Sequence, residues 1–303
     1  MTITAATARP RWHRPLIVLT GVAAGLAVVT AVGILFDSRV LTGMPIWAKP
    51  FKFAVSFAVY GFTLAWMLSV LPRRSRVAEW AGAVIVGVGV VELGIIVLQA
   101  ARGTTSHYNE TTPLNAGLWS AMSMSIMVLF LAHLVIGVAV LRQRGPDRVV
   151  AAGIRLGLFG SLLGMVAAGP MVFGPHYGAH AVGVPDGGPG LPLTGWSTTG
   201  GDLRIGHFVG LHALQALPLL AFLLNRYATR LGVRTRVRLL VIAGSAYGVL
   251  VGLLTWQALR AQPLLQPDGR TLVAVAALAV ATATAAALVL TRDKNDPRQE
   301  RLG

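Results

Sequence analysis

The chain has 303 residues, of which 54% are hydrophobic and only 12% charged, and its mean hydropathy is +0.67. Such a composition lies far outside that of a soluble domain and points to a membrane chain. Cysteine is absent, which excludes disulfides, thiolate metal sites, cysteine nucleophiles and covalently attached c-type haem.

A net charge of +15 would suggest nucleic acid in a soluble protein, but here the placement of the charges matters more than their sum. Of the 26 basic residues, 18 fall at the termini and in alternate loops: Arg9, Arg11 and Arg14; Arg73, Arg74 and Arg76; Arg142, Arg144 and Arg148; Arg226, Arg230, Arg234, Arg236 and Arg238; and Arg292, Lys294, Arg298 and Arg301. By the positive-inside rule these segments are cytoplasmic. The charge is therefore a topology signal, the expected partner is the lipid bilayer, and no nucleic-acid partner is expected.

Apolar runs cover residues 16–36, 51–71, 78–101, 114–141, 149–173, 204–224, 238–259 and 271–290. Each is long enough to cross the ~30 Å hydrocarbon core as a helix and too long for the ~10-residue alternating strands of a barrel. The expected fold class is thus all-α: a polytopic membrane bundle of about eight transmembrane helices, forming one integral-membrane domain over 1–303 in the cell membrane. An even number of crossings places both termini in the cytoplasm. The 21 residues of the first run exceed a signal-peptide core of roughly 7 to 15, so it reads as a retained helix. Trp47, Trp119, Trp196 and Trp256 then fall at the outer edge, with Trp12 and Trp80 at the inner, as an interfacial belt requires. No internal repeat or domain boundary stands out.

With this topology the polar residues that a lipid-embedded chain should avoid collect on the extracytoplasmic side. Lys49 and Lys52 start the second helix, and helical spacing sets Lys52, Ser56, Tyr60 and Thr63 on one face, a polar stripe suited to the bundle interior rather than to simple snorkelling. Glu92 is the one carboxylate in the middle of a span, about 14 Å below the end of the third helix. Such a group is costly and by default functional, unless it is protonated or paired with Lys52 or an arginine as helix-to-helix glue. Gln99 shares its face, and Arg102 closes the helix. His107, Asn109 and Glu110 follow in a surface loop, where a histidine is ordinarily solvated. On the fourth helix Met122, Met124 and Met127 read as core filler, and His133 as either a hydrogen-bonding bridge or an axial ligand.

Residues 174–202 form a long Gly/Pro-rich stretch without Lys or Arg, a length that usually marks a lid. His176 and His180 in it have the spacing of a zinc pair on a helix, but the surrounding Gly and Pro argue against one, and no HExxH glutamate is present. The sixth helix opens with Asp202 where a cap belongs and with Arg204 at its mouth, suited to an anion. Arg204, Phe208, Leu211 and Gln215 form one face, flanked by His207 near the surface and by His212 about 12 Å in, at the depth of Glu92.

Three functions fit these residues. The first is a redox protein holding b-type haem between His133 and His212, with Lys49, Lys52 or Arg204 meeting the propionates. The second is an outward-opening pocket for an anionic small molecule or lipid headgroup, in a transporter or an intramembrane enzyme: Lys49, Lys52, Arg102 and Arg204 supply charge, Gln215 and Tyr60 line the pocket, and Glu92 and His212 handle protons as candidate catalytic residues. In the third, the polar residues are glue in a structural bundle with no catalytic activity. No motif among them fixes a substrate, and whether the protein is an enzyme is left open by the sequence.

Overall fold

The computed structural model describes residues 11–143, 145, 147–173 and 175–294, with the backbone alone at Lys294; Arg9, Arg144, Arg298 and Arg301 lie outside the described residues. The long helices are α1 (Arg14–Phe36), α2 (Ala48–Ser69), α3 (Arg76–Ala101), α4 (Pro113–Leu141), α5 (Arg148–Ala167), α7 (Arg204–Tyr227), α8 (Val233–Leu259) and α9 (Gly269–Lys294); α6 (Gly169–Val172) is a single turn. Eight of the described helical segments, counting α5 and α6 as one, are long and apolar enough to cross a bilayer, which is consistent with a membrane protein. The expected spans coincide with these helices, except that the fifth breaks at Ala168, where Pro170 cannot supply an amide hydrogen to continue it. Side-chain acceptors cap several starts: Ser75 for α3, Thr112 for α4 and Asp147 for α5.

Four short strands lie at the end of the bundle opposite the arginine-rich turns. β1 (Val40–Leu41) pairs with β2 (Met44–Pro45) between α1 and α2, and β3 (Ala181–Val182) pairs with β4 (Gly201–Asp202) before α7. This hairpin end carries all the long connections.

The helices fall into two sets of four. In the first, α1 packs on α2, α3 on α4, and α3 also touches α2 and α1. In the second, α5 packs on α7, α8 on α9, and α8 also touches α7 and α5, so the neighbour relations repeat in the same order. Between the sets, α4 and α5 form the main helix contact. The corners leading into the last helix of each set share their chemistry as well. Gln99 and Gln257, both buried, donate through Nε2 to the carbonyls of Thr105 (3.3 Å) and Pro263 (2.8 Å), each six residues on. Arg102 and Arg260 follow three residues after the glutamines and bond the first turn of the next helix, at Asn115 (3.0 Å) and Asp268 (3.3 Å). Gly103 and Ala261 then both take a positive φ, +75° and +57°. The Arg260 guanidinium holds the Asp268 carboxyl below the usual carboxylate range. A four-helix unit used twice in the same orientation was not visible in the sequence, because apolar spans of similar composition carry little register; only Gln-x-x-Arg at the two corners betrays it.

The tightest packing is within the second set. Gly153, Gly157, Gly160 and Gly164 form a bare stripe along α5 that lets α7 approach to backbone contact. A Cβ added at Gly164 would lie 2.4 Å from the Gly210 carbonyl carbon, and one at Gly160 would lie 2.5 Å from Ala213 Cβ. Between helices that share an apolar solvent, such small-residue seams supply attraction through close van der Waals contact. Large apolar side chains elsewhere face outward, among them Val18, Val22, Phe159, Phe222 and Val273, the pattern expected where the surroundings are lipid. Met122 is buried as core filler should be, but Met124 and Met127 point away from the bundle, 72% and 49% exposed.

Candidate functional site

The stripe on α2 faces the bundle interior and connects the two helix sets. Lys52 Nζ donates to the Thr194 carbonyl (2.8 Å). Tyr60 Oη lies 2.9 Å from His133 Nδ1 of α4, whose Nε2 lies 2.9 Å from Ser161 Oγ of α5. One turn further, Gln215 Nε2 of α7 donates to Thr63 Oγ1 (3.2 Å). His133 is fully buried and bridges the sets, both ring nitrogens engaged by hydroxyls. That arrangement serves the hydrogen-bonding role weighed for it and leaves neither nitrogen turned toward an iron site.

The other histidines are dispersed. His207 lies against α5, its Nδ1 2.8 Å from the Gly164 carbonyl oxygen, while His212 is on an exposed side of α7, 3.3 Å from Gln215 Oε1. They do not address one space as the helical wheel suggested, because the glycine seam draws the His207 side of α7 onto α5. Arg102 is likewise outside the group, held by Gln99 and Asn115 in its corner.

What does converge at the hairpin end is charge. Lys49 of α2 lies close enough to Lys52, to Arg204 of α7 and to Glu92 of α3 to feel the charge of all three, while Lys52 feels Arg204 and Asp202, and Glu92 feels Lys49. Arg204 is paired with Asp202, 2.6 Å away and fully buried; the same carboxylate accepts from the amide nitrogens of Arg204 (3.1 Å) and Ser197 (2.8 Å), so that from one position before the N-cap residue Leu203 it serves the first amide of α7 while holding the arginine. A second guanidinium nitrogen contact goes to the Gly195 carbonyl (2.6 Å). Lys49 Nζ makes no hydrogen bond or ion pair among the described residues; its recorded contact is the face of Phe53, 6.0 Å away. Glu92 is fully buried. Its Oε1 accepts from Ser125 Oγ of α4, and Oε2 has no hydrogen-bond partner among the described residues. Among those residues neither Lys52 nor an arginine forms the ion pair with Glu92 that the sequence allowed for.

Over this group lies the long connection before α7. Residues 190–197 fold into a hairpin closed by Leu191 N to Trp196 O (2.8 Å) and Gly195 N to Leu191 O (2.9 Å), with Leu193 at its tip at φ +65°. Lys52 and Arg204, one from each helix set, hold its carbonyls at Thr194 and Gly195. The connection is thus fastened to both helix sets through two cations.

Its base is fastened by Asp186, which accepts from the amides of His180 (3.0 Å) and Ala181 (2.7 Å) and lies 3.0 Å from His180 Nδ1. Among the described residues no group of metal-ligand side chains gathers around His176 and His180. Burial alone would raise the Asp186 carboxyl, but hydrogen bonds from the His180 ring and from the two amides outweigh it and bring the group to about 2, from an ordinary 3.8. A folded value below the unfolded one means stabilisation present above about pH 4 and lost as pH falls through about 2. Hydrogen–deuterium exchange, corrected for intrinsic rate, should find the Ala181 amide protected at about pH 5 and unprotected near pH 2. Equal protection at both would show that the carboxylate does not fasten the connection.

Beside Lys49 sits an aromatic cluster that the sequence did not disclose. His107, expected in solvent, packs against Phe53 (5.7 Å between centroids) and Trp119 (5.6 Å). Burial, then the charges of Lys49 and His180, keep its imidazole well below the usual histidine range, hence neutral. Tyr108, at φ +53°, packs its ring tilted against Trp119 with centroids 4.4 Å apart and donates to the Met171 carbonyl at 3.1 Å, tying the α3–α4 loop to α6. A His-Tyr pair in a loop eight residues after Gln99 was the available signal. A cavity of about 250 Å³ at the opposite end, between Leu71, Val140, Val150 and Ile154, is lined mostly by apolar groups and includes none of these residues.

Fold and site together describe an all-helical protein with eight bilayer-length segments in two like sets and a group of cationic side chains at the hairpin end. No protein-family model, curated protein or solved structure matches the chain.

Proposed function

We propose that this is a membrane protein that binds an oxyanion, a phosphate or carboxylate group, at an extracytoplasmic mouth between its two helix sets and carries it as a transporter. The observation that supports the reading is the convergence of Lys49, Lys52 and Arg204 beneath a lid, with Lys52 satisfied by a neutral carbonyl and Lys49 by none. Half-buried cations are costly unless paired. Charge-assisted hydrogen bonds are about twice as strong as neutral ones, so an oxyanion displaces the Thr194 and Gly195 carbonyls and releases the lid as it binds. Two like-oriented repeats with the site at their interface is an architecture known among solute carriers. By the positive-inside rule, the arginine-rich turns support a hairpin end that faces outward and termini that are cytoplasmic.

Inorganic sulfate, titrated into detergent-purified protein, tests the reading. It should bind, and Lys49→Ala and Lys52→Ala should each weaken it tenfold or more, about 1.4 kcal/mol, while leaving the melting temperature near that of the parent. Short-chain phosphatidylglycerol in a parallel arm separates the sources of the group: competition with sulfate at lower concentration assigns the mouth to a lipid headgroup, and no competition assigns it to a free anion. Failure of both ligands to bind, with Lys52→Ala losing stability, would make these side chains structural glue.

A further inference from the structure

We infer that Glu92 is a proton-binding residue of this mouth, protonated when an oxyanion engages Lys49, so that a proton and a negative charge enter together. The inference rests on the anion-binding reading and adds its coupling ion.

Glu92 is fully buried at mid-helix, on a helix whose other buried residues nearby, Leu93, Ile95 and Ile96, are apolar. One carboxylate oxygen accepts from Ser125, and the other has no hydrogen-bond partner among the described residues. A buried carboxylate with a single hydroxyl partner is far from solvated. What offsets it is the charge of Lys49 on the adjacent α2, which acts on Glu92 although the two form no ion pair among the described residues. Lys49 makes no hydrogen bond or ion pair there either, so an amine and a carboxylate within electrostatic reach of each other both hold unused bonding capacity.

An oxyanion that binds Lys49 claims the positive charge that offsets Glu92. The site then holds one uncompensated negative charge in apolar surroundings, and the least costly remedy is uptake of one proton by the carboxylate, from water at the mouth. No bond other than the new O–H forms. The groups that could take the proton instead are few. From α2, Lys49 acts on Glu92 and, half-buried and without a hydrogen-bond or ion-pair partner among the described residues, is itself a group that can take up the proton. α4 offers Ser125, α1 carries no titratable side chain at this level, and Arg204 of α7 is paired with Asp202. The neutral His107, which shares the Phe53 ring with Lys49, is the other competitor.

Sulfate does not itself titrate near neutrality, so its binding to the full-length protein can be followed by calorimetry in two buffers of different protonation enthalpy. The parent should take up about one proton per sulfate, Glu92→Gln should bind sulfate without uptake and without pH dependence, and His107→Gln should retain the uptake. Sulfate binding to the parent with no buffer-dependent heat would overturn the inference while leaving the anion site intact, and so would uptake kept in Glu92→Gln, which assigns the proton to Lys49 or, where His107→Gln loses it, to His107. Absence of sulfate binding overturns the site reading and the inference with it. Since the parent's proton count alone decides the first outcome, a Glu92→Gln chain that fails to fold does not rescue the idea.

Discussion

Gly164→Val should cost at least ~3 kcal/mol of stability, the largest loss expected of any single substitution in the bundle. The added Cβ would sit 2.4 Å from the Gly210 carbonyl carbon and the Leu211 nitrogen, both backbone. A flexible side chain could turn aside, but here α5 and α7 themselves must separate, opening a seam that continues through Gly160, Gly157 and Gly153. The expected readout is a large fall in the melting temperature of the purified protein. Gly94→Ala is the matched control: its Cβ meets nothing within 4 Å, so it should be neutral or raise stability by up to ~1 kcal/mol through helix propensity. A Gly164→Val protein as stable as the parent would mean that α5 and α7 do not cross at backbone distance.

Asp202→Ala should cost about 2 to 3 kcal/mol, near the low end for breaking a buried pair because Arg204 is a quarter exposed and partly screened. Three protein donors lose their acceptor at once: the Arg204 guanidinium, the Arg204 amide that opens α7, and the Ser197 amide in the lid. The loss should be local, so limited proteolysis should cut the parent slowly and Asp202→Ala quickly within residues 190–197. Asp202→Asn keeps an acceptor for Ser197 and should fall between the two. A lid that stays protected in Asp202→Ala would show that Lys52 alone suffices to latch it.

Composition and apolar run length were enough to place every long helix, because a helix that must satisfy its own backbone in lipid needs a length and a hydropathy that nothing else in the chain resembles. The stripe Lys52, Tyr60 and Thr63 was readable for the same reason: helical periodicity turns spacing into a shared face. Pairings between helices were not. His133 was joined with His212 on depth alone, whereas Tyr60 and Ser161 take both its nitrogens, a choice made by the rotation of α2 and α5 about their axes. His207 and His212 were set on one side of α7, and the glycine stripe of α5, whose effect depends on what lies opposite, turned one inward and left the other out. Loop residues were hardest. His107 and Tyr108 are drawn under the α3–α4 loop by Phe53 and Trp119, residues far from them in sequence, and the lid's grip on Lys52 and Arg204 is made by carbonyls, which carry no sequence signature at all.

Because the chain has no native cysteine, one substitution reports on the mouth without background. Ser56→Cys, on the α2 stripe between Lys52 and Tyr60, can be exposed in sealed right-side-out vesicles to a membrane-impermeant thiol reagent. An outward-opening anion site predicts labelling from the outside that slows severalfold when sulfate is added. Labelling only when the vesicles are opened, or at a rate indifferent to sulfate, would contradict it.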